Sequence, residues 1–236
     1  MRVIVTRPEE DAGPLCTALR DLGHEVIMAP LLEIMPREGV SIPALPYQAV
    51  VATSANGIRA LGLNPGLRNL PMLTVGPQSL NAALEAGFTR AEAHGGDVDG
   101  LAAHIRARLK PDDGPILYLS GAATAGDLHG QLTSAGFHCE RVVLYDAVAA
   151  TGLGAVEAVL RKEAADAVLL YSPRSARVWL KLVEQYGLEA QAARLHSLCL
   201  SRNVAAVLLP DWLIHVAEKP ENAAMMGLLE QVARTR

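Results

Sequence analysis

Hydroxyl side chains stand at the points where apolar strands give way to helices in this sequence. Two such points are VVATSANGIRAL (50–61) and VLLYSPRSARVWL (168–180), where an apolar run ends at a serine that opens a helical pattern. A helix N-terminus carries unpaired N–H groups and about half a positive charge, so it favours anions. This pattern therefore predicts anion binding at several helix N-termini.

Six strand-to-helix turns share this arrangement, and five of the six offer a hydroxyl group. Serine and threonine are also ordinary helix N-caps, each worth about 1 kcal/mol, so any single turn has a structural explanation. The whole set is more informative than any one member. The candidate ligand-binding residues at these turns are Thr6, Arg7, Thr53, Ser54, Asn56, Gly76, Ser120, Gly121, Ser172, Arg174, Ser201 and Arg202.

Arginine recurs in the first turns of the predicted helices. A cation at this end of a helix opposes the helix dipole, so its presence needs another reason. Two explanations stay open: the arginines face a bound anion, or they lie on a solvated surface. The residues concerned are Arg7, Arg59, Arg174, Arg177 and Arg202.

Tyr145 is the candidate catalytic residue. It ends the strand pattern RVVLYDAV, where the chain is expected to cross back between domains. A tyrosine hydroxyl placed there can act as a hydrogen-bond donor or a weak general acid. The structural alternative is a half-buried tyrosine at a hinge that packs and forms a hydrogen bond.

The absence of several motifs disfavours some classes of ligand and reaction. There is no GxGxxG after a strand, no GxxxxGK[ST] and no GxSxG, which disfavours dinucleotide binding and a nucleotide-dependent transferase. The seven histidines form no HExxH or similar spacing, so we expect neither a metal site nor a cofactor. Cys16, Cys139 and Cys199 form no CxxC pair, and we expect reduced thiols buried in the core.

The composition of the chain limits the kinds of partner that it can have. Its 236 residues are 50% hydrophobic and 19% charged, which is typical of a soluble globular protein. The net charge of −4 argues against a nucleic-acid partner. The opening MRVIVTRPEED has too short an apolar run for a signal peptide, and no stretch approaches membrane-spanning length. We therefore expect a cytoplasmic monomer without a membrane partner.

Short apolar runs alternate with helical patterns along the chain, which predicts βα units and parallel sheets. About ten strands suit two doubly wound domains better than one. The first strand–helix–strand, 1–29, is too small to bury a core of its own, so we expect it to join the C-terminal part. The predicted domains are 1–36 with 150–236 and 38–146, with linkers near 30–46 and 145–151.

Seven stretches, in this order and at this spacing, resemble the uroporphyrinogen-III synthase family over nearly the full length. No single stretch is diagnostic, and their order is far more specific than any one of them. They are VIVTRPEEDAGPLCTALRDLGHEVIMAPLLEI, VVATSANGIRAL, LTVGPQSLNAALEAGF, ILYLSGAATAGDL, VVLYDAV, VLLYSPRSARVWL and LCLSRNVAAVL.

The resemblance implies two flavodoxin-like α/β domains joined by a two-stranded linker, with domain 1 discontinuous. It also implies a cofactor-independent lyase that acts in the cleft between the domains. The substrate would be hydroxymethylbilane, a linear tetrapyrrole with eight carboxylates, which the family cyclises to uroporphyrinogen III with inversion of ring D and loss of water. A transient handover of this substrate from hydroxymethylbilane synthase is a further expectation.

The resemblance also assigns roles to residues. The family's tyrosine after this strand falls on Tyr145, and the residues expected to line the cleft are Thr6, Arg7, Ser54, Ser120, Gly121, Ser172 and Ser201. The helix N-termini and arginines would bind acetate and propionate side chains. One departure is LSRN (200–203), where the family often has a glycine-containing turn. The alternative function is a non-catalytic two-domain binding or sensor module for a small polyanionic ligand.

Overall fold

The computed structural model of the chain describes residues 1–124 and 126–235. The chain divides into two compact units, 1–33 with 148–236 and 34–147. Each unit is built around a sheet of parallel strands flanked by helices, so the predicted α/β class is confirmed. The helices predicted over 124–136 and 221–236 include Ala125 and Arg236, which lie outside the described residues.

Eleven strands and ten α-helices occur within the described residues. The strands are β1 (Arg2–Val5), β2 (Glu25–Met28), β3 (Leu32–Pro36), β4 (Ala49–Ala52), β5 (Met72–Thr74), β6 (Ala91–Ala93), β7 (Ile116–Gly121), β8 (Cys139–Ala149), β9 (Ala167–Leu170), β10 (His196–Cys199) and β11 (Ile214–Val216). The helices are α1 (Glu9–Asp21), α2 (Ala55–Leu61), α3 (Pro77–Glu85), α4 (Val98–Arg108), α5 (Leu128–Ser134), α6 (Ala155–Arg161), α7 (Pro173–Gln185), α8 (Glu189–Ala193), α9 (Arg202–Ala205) and α10 (Asn222–Arg234).

The first unit contains five parallel strands in the order β11-β10-β9-β1-β2. Counted within the unit, this is the 2-1-3-4-5 order of flavodoxin-like sheets. Successive side chains of a strand point to opposite faces. Val3 and Val5 accordingly pack with Leu19 in one apolar cluster, whereas Ile4 packs with Trp179 in another. Both faces of the sheet are therefore covered by helices.

The second unit contains a six-stranded sheet in the order β3-β8-β7-β4-β5-β6. Its five parallel strands from β8 to β6 have the doubly wound order 3-2-1-4-5. Val50 and Leu117 contribute to one apolar cluster, and Val51 and Tyr118 contribute to the other. The two units thus share an architecture but differ in strand order.

Several elements differ from the sequence-based expectations. The stretch predicted as a looser linker contains β3, which lies beside β8 at the edge of the sheet. The strand predicted over 138–148 is confirmed as β8, with each end shifted by one residue. The three-residue β6 and the five-residue α8 were not predicted, since both are too short to show a periodicity. The helix predicted over 202–209 ends at Ala205.

All three cysteines are buried and free, as predicted. Burial raises the pKa of Cys139 and of Cys199 to about 12, so both thiols stay protonated and poorly reactive at neutral pH. Among the described residues, none of the helices has the length and apolar character needed to cross a membrane.

Candidate functional site at the carboxyl edges of the sheets

Each sheet has a point where the strand order reverses. In the first unit this point lies between β1 and β9, and in the second unit between β4 and β7. Ligands of open α/β sheets bind outside the carboxyl ends of the strands at such points. The residues there are Thr6, Arg7, Tyr171 and Ser172 in the first unit, and Thr53, Ser54, Ser120 and Gly121 in the second. Seven of these eight were predicted as site residues from the sequence, and Tyr171 was not.

Thr6 is fully buried at the end of β1. Its hydroxyl donates a hydrogen bond of 2.7 Å to the carbonyl oxygen of Leu169 and so ties β1 to β9. The side chain of Thr6 is therefore used within the sheet, and its carbonyl oxygen accepts from the Leu31 N–H at 3.1 Å.

Arg7 is held by groups of its own unit. Its guanidinium lies over the ring of Tyr171, 4.6 Å from the centroid. One nitrogen lies 3.8 Å from a carboxylate oxygen of Asp11, and another donates to Asn222 Oδ1 at 3.2 Å. Burial raises the pKa of Tyr171 to about 12, although the positive charge of Arg7 opposes this rise. Tyr171 therefore stays protonated at neutral pH.

The N-terminus of α7 is well formed. Ser172 caps it, because its Oγ accepts a hydrogen bond of 3.0 Å from the Ser175 N–H. Pro173 occupies the first helical position, where no N–H is needed, and Arg174 follows half-buried. By contrast, Ser201 precedes the four-residue α9 and forms no such capping bond, and Arg202 is exposed.

This contrast gives a testable prediction. Ser172→Ala is expected to lower the free energy of unfolding by about 1 kcal/mol, because it removes an N-cap from a long helix. Ser201→Ala is the matched control and is expected to have little effect, since its side chain caps nothing. Urea unfolding of both variants measures the difference. Equal losses in the two variants would contradict the capping role of Ser172.

In the second unit, polar side chains at the end of β4 bind to neighbouring groups. The Thr53 hydroxyl lies 3.1 Å from the Tyr118 hydroxyl. Ser54 Oγ accepts from the Asn56 N–H at 3.2 Å and so caps α2. Asn56 is buried, and its Oδ1 accepts from Arg59 at 2.9 Å. These contacts shape the turn and use much of its side-chain hydrogen-bonding capacity.

Gly76 lies on the same carboxyl edge, two residues after the end of β5. It is the N-cap of the nine-residue α3, in extended backbone, and Pro77 opens the helix. A side chain added to Gly76 would meet no atom within 4 Å. The backbone at this N-terminus is therefore approachable.

Arg141, like Tyr171, was not predicted from the sequence as a site residue. It lies on β8, and its Nε donates to Ser120 Oγ at 3.0 Å. Its Nη2 donates to the carbonyl oxygens of Gly121 and Ala122, at 2.9 and 3.1 Å. Arg141 thereby fixes the carboxyl end of β7. In the sequence Arg141 looks like an ordinary polar position of a strand. Only its register opposite Tyr118 shows that its side chain can contact the carboxyl end of β7.

Tyr145 lies directly against Gly121. A register shift between Ser120 and Gly121 pairs Gly121 with Tyr145. A Cβ atom built on Gly121 would lie 2.6 Å from the ring carbon Cζ, so only glycine leaves room for this ring. Tyr145 is 8% exposed, and no other residue of 1–124 or 126–235 forms a hydrogen bond with its hydroxyl. The ring is fixed while its hydroxyl keeps its hydrogen-bonding capacity.

Together the fold and these edges define a protein of the doubly wound α/β class, with two parallel sheets and polar turns at their carboxyl ends. The family of uroporphyrinogen-III synthase HemD matches residues 14–227. The chain therefore belongs to the uroporphyrinogen-III synthase family, which confirms the resemblance seen in the sequence.

A curated relative agrees with this assignment. Porphyrin biosynthesis protein HemD of Ruminiclostridium josui is 30% identical over 166 residues, which cover 61% of this chain and 32% of that protein. The chain thus spans about a third of the length of that curated relative.

Two solved structures have a similar fold. Uroporphyrinogen-III synthetase from Helicobacter pylori has a TM-score of 0.68 at 16% identity, with 98% of this chain and 100% of that chain covered. A mutant uroporphyrinogen III synthase from Thermus thermophilus has a TM-score of 0.58 at 17% identity, with both chains covered completely. At these identities the similarity shows the fold alone.

Proposed function

We propose that the chain is a lyase that cyclises hydroxymethylbilane to uroporphyrinogen III, with inversion of ring D and loss of water. Family membership supports this function. The observation that carries it is the environment of Tyr145, whose ring is locked on Gly121 while its hydroxyl bonds no described residue. A general acid needs both a fixed position and an uncommitted proton.

The carboxylates of the tetrapyrrole would bind backbone N–H groups at the helix N-termini. Thr6, Ser54 and Ser172 use their hydroxyls within the protein, which keeps the turns in shape. The N–H groups that these caps do not occupy would be the donors to the carboxylates. We assign the same role to the turns at Gly76 and Ser201. Two other predicted contacts, Arg174 and Arg202, would add positive charge near the acetate and propionate groups.

The reaction would begin with proton donation from Tyr145 to the hydroxyl of the ring A hydroxymethyl group, which leaves as water. Ring D then attacks the resulting azafulvene through its substituted carbon and gives a spiro intermediate. This intermediate fragments and recloses with ring D inverted. The proton released when the last pyrrole regains aromaticity returns to the tyrosinate. The pyrrole nitrogens supply the electrons, so the enzyme mainly holds the substrate in a reactive conformation.

We also propose the domain division of the protein, its oligomeric state, its location and the source of its substrate. We take residues 1–36 with 150–236 and residues 38–146 as the two domains. The protein would act as a monomer in the cytoplasm and would receive its unstable substrate from hydroxymethylbilane synthase in a transient handover.

A coupled assay tests this function. Hydroxymethylbilane is generated in place, the purified chain is added, and the oxidised uroporphyrin isomers are separated. We expect the product to shift from the spontaneous type I isomer to type III. Type I alone, formed in the presence of folded protein, would contradict the synthase and favour the polyanion-binding module.

A further inference from the structure

Three potential metal ligands meet at the edge strand of the second unit, outside the residues assigned to the substrate. Glu92 lies on β6, His94 follows that strand directly, and His104 lies on α4. Residues two apart on a strand point to the same face, so Glu92 and His94 approach His104 together. One ligand atom from each side chain lies within 4.8 Å of the other two.

The three side chains already interact closely. His94 Nε2 lies 2.9 Å from Glu92 Oε2. The rings of His94 and His104 are stacked, with centroids 3.4 Å apart and planes 9° apart. Such a face-to-face pair of imidazoles gains little when uncharged and is repulsive when both rings are protonated. A cation that both rings coordinate would stabilise their close approach.

We propose that Glu92, His94 and His104 form a binding site for a divalent transition-metal ion, with Zn²⁺ as the ion of choice. Two imidazoles and one carboxylate are ligands that Zn²⁺ takes readily, and a water molecule completes the tetrahedron. Bonds of about 2.0–2.2 Å place tetrahedral ligand atoms roughly 3.4 Å apart. Both histidines are half-buried and Glu92 is exposed, so rotation of these side chains can bring the lone pairs together.

Arg108 is the charge that opposes a metal ion here. It lies one turn after His104 on α4 and interacts electrostatically with both Glu92 and His104. Because Arg108 is exposed, it can turn away towards solvent when a cation binds. The affinity of the site should therefore rise when Arg108 is removed.

This inference departs from the sequence-based expectation of no metal site. That expectation rested on motif spacing, and these ligands come from a strand and a separate helix ten residues further along. The inference does not depend on the proposed synthase activity, because none of the three residues was assigned to that reaction.

Calorimetric titration of the metal-free full chain with Zn²⁺ tests the site. We expect one Zn²⁺ per chain. His94→Ala and His104→Ala should each weaken binding by at least the roughly 10–100-fold that loss of an outer-shell partner causes. His129→Ala, at an exposed position on α5, is the matched control and should bind as the unchanged chain does. Arg108→Ala should bind more tightly.

A second readout separates binding from folding. Zn²⁺ should raise the melting temperature of the unchanged chain, and this rise should vanish in the His94 and His104 variants. The histidine pair His196 and His215 in the first unit, with ring nitrogens 2.9 Å apart, is the competing location. No binding to the unchanged chain, unchanged binding in the His94 and His104 variants, or loss of binding only in His215→Gln would each overturn the proposal.

Discussion

Tyr145→Phe is expected to lower the rate of type III product formation by roughly 100-fold, the lower end of what a positioned general acid contributes. The ring would stay in place on Gly121, because phenylalanine fills the same volume. The apparent affinity for hydroxymethylbilane should therefore change much less than the turnover number. Initial rates across a range of substrate concentrations, with isomer separation, give both quantities.

Tyr47→Phe is the matched control for this experiment. Tyr47 is also a buried tyrosine of the second unit, but its hydroxyl donates to the carbonyl oxygen of Pro43 at 2.9 Å. Its removal should cost stability at most and leave turnover intact. A Tyr145→Phe variant that is as active as the Tyr47→Phe variant would rule out proton donation by Tyr145. It would leave that residue a packing role.

Gly121→Ala is expected to abolish most activity and to lower the free energy of unfolding by about 1–3 kcal/mol, the usual cost of overpacking. The added methyl group would lie 2.6 Å from Tyr145 Cζ and 3.0 Å from its hydroxyl oxygen. The ring must therefore leave its position, and the proposed acid moves with it. Urea unfolding and the coupled assay measure the two effects.

A double-mutant cycle with Tyr145→Ala isolates the clash. Once the ring is removed, Gly121→Ala should cost little further stability, since nothing remains to collide with the methyl group. Gly227→Ala is a second control in the opposite direction. No atom lies within 4 Å of the position that its Cβ would take in α10, so it should stabilise by about 0.5–1 kcal/mol. Equal losses from Gly121→Ala with and without the Tyr145 ring would contradict the packing described above.

The alternation of apolar runs and helical patterns was enough to predict the α/β class, because buried parallel strands leave a clear signal. β1, β4, β7 and β9 were predicted from such runs. β3 was hidden because LEIMP sits in a stretch with four prolines, which is typical of a linker. Its strand conformation depends on a partner more than one hundred residues away, which no local pattern encodes.

The candidate site was predictable to a similar degree. Serines at strand ends showed where the carboxyl edges lie, since a helix start after a strand is a local feature. Arg141 could not be recognised, because its role comes from register with β7. The hypothesis that the first-turn arginines face a bound anion also needed the structure. Arg7 and Arg59 are bonded to side chains of their own units. Whether the other arginines contact substrate remains a prediction.

The discontinuity of the first unit has a consequence for synthesis on the ribosome. β1 lies between β2 and β9 in its sheet, so it cannot complete its pairing until residues near 170 have been made. The second unit is continuous from 34 to 147, and all its strands from β4 to β8 emerge without interruption. The second unit is therefore expected to fold before the first, although β1 and β2 are made earlier, and β1 stays unpaired on one side during that time.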